Sequence, residues 1–136
     1  MSLCTCYEYL GDSEYGSIFG EYKGNINVWD GKKWHYGYAT ISITDACNKS
    51  LYIKCQSSIK SFEETLHYHV NKLAEGVDCI FNKEQEQDEI RIVGISGSVS
   101  NNSRPSGRRF IYSRLTNGVY IDITADKLFY KQTHKQ

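Results

Sequence analysis

From Tyr22 onward the apolar residues fall at every second position. Tyr22, Gly24, Ile26 and Val28 share one parity, and Trp34, Tyr36 and Tyr38 follow at the same period. Such alternation sends successive side chains to opposite faces of a strand. Asp30-Gly31 between the two runs is a hairpin signal, because glycine takes up left-handed backbone without steric cost. With Gly31 ending a three-residue loop, Val28 opposes Lys32, Ile26 opposes Trp34 and Tyr22 opposes Tyr38. A two-residue loop would set Ile26 against His35, so the apolar pattern selects the first register. Ala39, Ile41 and Ile43 have the opposite parity to Trp34, Tyr36 and Tyr38. That change predicts a bulge near Gly37 or burial on both faces.

Further strands follow. A short one is expected around Thr5 to Leu10. Leu51, Ile53 and Cys55 alternate with Tyr52, Lys54 and Gln56 as a half-buried strand. Residues 77 to 81 form a short apolar run, 82 to 89 a polar connection, and 90 to 99 a strand with apolar groups on both faces. Residues 96 to 107, which hold the only proline, read as a loop. Asn117-Gly118 marks a final hairpin. A two-residue loop would put Arg114 against Ile121. A three-residue loop puts Leu115 against Val119 and Ile111 against Ile123, which keeps the arginine off the apolar face, and this register is preferred.

Residues 61 to 75 carry a helical signal. Ser61 followed by Glu64 spells a capping box, in which each side chain satisfies a free backbone N–H of the first turn. Phe62, Leu66, His69 and Leu73, with Val70 beside them, fall on one helical stripe, and Gly76 is placed to end the helix. Strands on both sides of one helix, joined by hairpin turns, predict an α+β fold: a mainly antiparallel sheet of about six to seven strands packed on one central helix, residues 61–75. At 136 residues without repeat or linker, the chain reads as a single domain, 1–136.

Charge and cysteines narrow the function. The formal net charge is zero, which argues against a protein that coats nucleic acid. The charge is uneven: residues 75 to 89 are acidic and 104 to 136 are basic, and the simplest account is that they fold against each other. Five cysteines, an odd number, with no signal peptide or long apolar run, predict free thiols in a reducing, cytoplasmic setting and no membrane association. Cys4-x-Cys6 has the wrong spacing for a zinc site, and no second pair follows it.

No catalytic constellation is legible. On a helix His67 and His69 would point to different faces, with His69 a core histidine and His67 solvated. His35 is a lone candidate base, because no carboxylate comes with it at recognisable spacing. Gly94 and Gly97 lack the context of a phosphate loop. The most suggestive stretch is Arg104, Arg108 and Arg109 around a turn, beside Tyr112 and Arg114, since guanidinium forks bind carboxylate or phosphate in two-pronged fashion.

These residues, with Tyr120, Trp29, Tyr36 and Tyr38, predict a partner-binding surface built from the residue types that dominate hot spots. The expectation is a small protein-binding module that covers a partner with an acidic surface, by analogy of class with inhibitor and immunity proteins. It calls for no catalytic residue, metal or cofactor. The alternative is an RNA-binding or RNA-cleaving domain using the arginines, the tyrosines and a histidine. A third reading is a small-molecule pocket lined by aromatics between helix and sheet.

Overall fold

The computed structural model describes residues 15–73, 76–96 and 105–130. Most of them lie in eight strands: β1 (Gly20–Trp29), β2 (Trp34–Asp45), β3 (Ser50–Ser57), β4 (Phe62–Leu73), β5 (Gly76–Phe81), β6 (Glu89–Ser96), β7 (Pro105–Thr116) and β8 (Val119–Tyr130). Each strand pairs antiparallel with the next, and β8 pairs back onto β1, so the sheet closes into an up-and-down barrel. No helix occurs among the described residues, which overturns the expected α+β fold. Closure removes both sheet edges, so every strand has neighbours on both sides.

The central helix expected over residues 61–75 is instead β4. Phe62, Leu66 and Val70 are four apart, a spacing that fits a helical stripe and also divides evenly by the strand period of two. In the barrel Phe62, Glu64, Leu66, Tyr68 and Val70 share the inward parity, opposite Cys55, Ile53 and Leu51 of β3 and Phe81 and Cys79 of β5. The capping box does not form. The Ser61 hydroxyl bonds the backbone of Ser57, and the Glu64 carboxylate accepts from Tyr112 and Arg114. His67 and His69 share the outer face and are both exposed, so His69 is not a core residue. His67 Nδ1 lies 2.8 Å from the Ser50 hydroxyl.

Two hairpin registers also differ from expectation. Trp29 pairs with Trp34, Val28 with His35 and Ile26 with Gly37, leaving a four-residue loop at 30–33. Asp30 organises that loop: its Oδ1 accepts from the backbone N–H of Lys32 and Lys33, and its Oδ2 sits 2.7 Å from His35 Nε2. Pairing runs without interruption from Trp34 to Ile43, so β2 has no bulge. The parity change arises because Trp34, Tyr36 and Tyr38 face outward while Ala39, Ile41 and Ile43 face inward.

At Asn117-Gly118 both turn residues have positive φ, 52° and 80°, as a two-residue type I′ turn requires. Arg114 therefore opposes Ile121 and points into the barrel.

The interior is filled rather than hollow. Tyr22, Ile26, Ile41, Ile43, Ile53, Phe81, Ile90, Ile92, Phe110 and Ile123 are all at most 1 % exposed. The outer wall carries Lys23, Lys54, Glu63, Arg91 and Asp126. Cys55 and Cys79 are free and buried. Cys47 is disulfide-bonded, so the expectation of free thiols throughout fails at that position.

The two ends of the barrel differ. At the end where β1 begins, residues 15–19 lie across the opening, with Tyr15 and Ile18 buried. Three inward side chains hold the backbone of this segment. Arg108 Nε donates to the Gly16 carbonyl at 3.0 Å, Lys127 Nζ to that of Ser17 at 2.5 Å, and the Tyr22 hydroxyl to that of Ile18 at 2.7 Å. The opposite end, framed by the 30–33, 58–61, 82–88 and 117–118 connections, is the open mouth.

Candidate functional site

The residues expected to bind a partner divide among three places. Arg104 lies outside the described residues. Arg108 is 1 % exposed inside the closed end, its guanidinium 5.8 Å over the Tyr15 ring. Burial there pulls its pKa below the usual arginine value. Arg109 faces outward but is clamped by Asp126, with Nε to Oδ1 at 2.8 Å and Nη2 to Oδ2 at 3.0 Å. Tyr112 and Arg114 face into the mouth. Among the described residues, Arg108, Arg109 and Arg114 thus do not form one surface patch and do not share one face, as the RNA reading would require.

Trp29, Tyr36, Tyr38 and Tyr120, by contrast, come together on the outer wall. The register explains how. Trp34 of β2 pairs with Trp29 of β1, Trp29 pairs with Tyr120 of β8, and Tyr120 pairs with Leu115 of β7. These four side chains form one row around the rim of the mouth. The Trp29 and Trp34 rings are 5.7 Å apart, and Trp34 meets Tyr120 edge-on at 6.0 Å. Such tilted and edge-on contacts suit the ring quadrupole.

A second arm runs down β2. Tyr36 stacks on Trp34 at 6.3 Å, and Tyr38 lies two residues further along the same face. Tyr36 and Tyr38 are 69 % and 81 % exposed. The two arms form an L. In its angle sit the outward residues of β1 and β8 that share rows with the tyrosines: Asn27 and Asp122 beside Tyr36, Asn25 and Thr124 beside Tyr38.

Sequence reasoning missed Trp34 and Leu115 as members of this surface. The three-residue-loop registers favoured by the local pattern turn Trp34 and Leu115 inward. The discriminating signal was the continuous alternation across Gly37: if Ala39, Ile41 and Ile43 are the core face, parity alone puts Trp34, Tyr36 and Tyr38 outside.

The mouth holds the second constellation. Glu64 on β4 accepts from the Tyr112 hydroxyl at 2.9 Å and from Arg114. Arg114 also reaches Glu84 at 3.3 Å and lies 3.6 Å from Asp88, whose side chain is fully buried. Burial, ahead of its hydrogen bonds, drives the Tyr112 phenol above its usual value. Local spacing makes Glu64 a helix-capping residue, but its partner is 50 residues away, so no local pattern reveals this role.

Around the cluster opens a pocket of about 390 Å³ walled by Phe62, Val119 and Ile121. At the rim, His35 has the carboxylate partner that sequence spacing did not reveal, Asp30, held at 2.7 Å. Among the described residues no group of three or more metal-ligating side chains is found.

Comparison with family models, with curated proteins and with solved structures found no match for this chain.

Proposed function

We propose that the protein is a binding module that docks another protein on the aromatic L of its outer wall. One observation carries the reading: Trp34, Trp29, Tyr120 and Leu115 stand directly opposite one another across four strands, on the outside of a barrel whose remaining outer wall is largely polar. Aromatic side chains in a contiguous exposed patch are the usual anchors of a protein interface. They bring large, stiff contact area at low entropic cost.

A closed barrel offers no strand edge, so a partner cannot join by extending the sheet. Recognition falls to side chains, and the L supplies them with amide and carboxylate groups in its angle. Lys32 and Lys33, both exposed and immediately preceding Trp34, favour a partner with acidic groups beside its apolar contact. Arg108, Arg109 and Arg114 contribute little to this surface, because Arg108 and Arg114 lie inside the barrel and Arg109 is engaged by Asp126.

Site-directed photo-crosslinking in the source cell tests the proposal. A benzophenone amino acid replaces Tyr38 on the L or, in a separate protein, Thr65 on the outer face of β4. The expected result is a discrete protein adduct from position 38 and none from position 65. Adducts of equal yield from both positions, adducts to nucleic acid, or none from position 38 would overturn it.

A further inference from the structure

We propose that the barrel mouth is a binding site for a small organic cation, an amine carried on an apolar body. This site is separate from the aromatic L. It lies inside the rim, between β4, β7 and β8.

The first observation is shape. Residues 15–19 close one end of the barrel and the core is filled, but the other end keeps a pocket of about 390 Å³. Eight-stranded barrels are wide enough to hold one small ligand, and a volume of this order is that of ordinary small-molecule sites. One wall is apolar, formed by Phe62, Val119 and Ile121. The Phe62 and Tyr112 rings lie 5.2 Å apart beside the carboxylate of Glu64.

The second observation is charge. Arg114 faces three carboxylates, those of Glu64, Glu84 and Asp88. Lys60 and Glu63 at the pocket's edge offset each other, so the charged groups lining the pocket, with Asp88 behind Arg114, are negative in sum. An anionic occupant would meet acids already holding the one guanidinium among them. A cation would add to the acids and gain the faces of two aromatic rings.

The third observation is an incomplete network. Arg114 is only 7 % exposed, yet its Nε has no hydrogen-bond acceptor, and Asp88 Oδ1, also buried, has no donor. Buried polar atoms are normally satisfied, so an orphaned pair points to something that completes the set. Arg114 Nε stops 3.6 Å from Asp88 Oδ2. An ammonium group that takes a share of Glu64 and Glu84 frees the guanidinium to close on Asp88. Arg114 then supplies the donor that Asp88 lacks, and the ammonium takes its place on Glu64 and Glu84.

Calorimetric titration of the full chain with three ligands of matched shape tests this: 2-phenylethylamine, 2-phenylethanol and 3-phenylpropanoate. The amine is expected to bind, the alcohol at least ~10-fold more weakly, as loss of about 1.4 kcal/mol implies, and the carboxylate not at all. Glu84→Gln, at an exposed position that leaves the fold alone, should weaken the amine by roughly 2–5-fold, the range of a partly exposed ion pair. In backbone amide spectra the amine should shift Val119 and Ile121. Equal binding of amine and alcohol, no binding of any ligand at millimolar concentration, or shifts confined to residues outside the mouth would overturn the assignment.

Discussion

Arg114 on β7 donates to the carboxylate of Glu64 on β4 across the inside of the barrel, tying together strands that are not neighbours in the sheet. The contact sits among Phe62, Tyr112 and Ile121, where an unpaired charge is costly. Replacing only one member of a buried pair strands the other without solvation. Arg114→Met is therefore expected to cost about 3 kcal/mol or more of stability, because it leaves both Glu64 and Asp88 without their cation. Arg109→Met, which breaks a half-exposed pair with Asp126, should cost less than about 1 kcal/mol. Urea denaturation of the two variants separates them, and equal losses would contradict the burial assigned to Arg114.

Alkali should unfold the barrel early. Burial pushes the Cys55 thiol up to about 11 and that of Cys79 up to about 12, from an ordinary 9.0. The phenols of Tyr22 and Tyr112 are raised by burial too. Each group keeps its proton in the fold at a pH where the unfolded chain has lost it. Their contribution to stability is complete below about pH 9 and declines as pH rises toward 11 to 12. Thermal midpoints should fall steadily between pH 9 and 11. Midpoints that hold level or rise over that range would refute the burial of these groups.

Gly24 is fixed by the neighbouring strand. A Cβ at this position would lie 2.1 Å from the carbonyl oxygen of Thr124 and 2.5 Å from Cα of Ala125 on β8. The obstacle is backbone, so a side chain cannot simply turn aside. Gly24→Ala should open the β1–β8 seam that closes the barrel and cost roughly 2–3 kcal/mol or more. Gly118→Ala, where a Cβ meets nothing within 4 Å, bears only the strain of positive φ and should cost about 1 kcal/mol. If both variants melt together with the wild type, the closed seam is not present.

Local alternation made much of the strand content readable, and non-local pairing hid the rest. Leu51, Ile53 and Cys55 alternate cleanly and form β3, and the turns at Asp30-Gly31 and Asn117-Gly118 lie where glycine marks them. β4 was obscured because Phe62, Leu66 and Val70 satisfy two periods at once, and because Ser61 and Glu64 imitate a cap. The pairing of β4 with β3 and β5 resolves the ambiguity.

Arg114 obscured the turn at Asn117. Excluding Arg114 from the apolar face was sound for an isolated hairpin, but failed because β4 supplies its counter-charge. Four members of the predicted binding surface, Trp29, Tyr36, Tyr38 and Tyr120, were visible as residue types. That they share a face depends on the closure of β8 onto β1, which no window of sequence displays.

The most direct test of the docking surface is the affinity of the crosslinked partner for two purified forms of the protein, wild type and Tyr36→Ser/Tyr38→Ser. Both tyrosines are largely exposed, so the double variant should fold as the wild type does. Loss of two aromatic anchors should raise the dissociation constant by roughly 30-fold or more. An unchanged constant, with both forms equally folded by circular dichroism, would contradict the assignment of the outer aromatic face as the working surface of this protein.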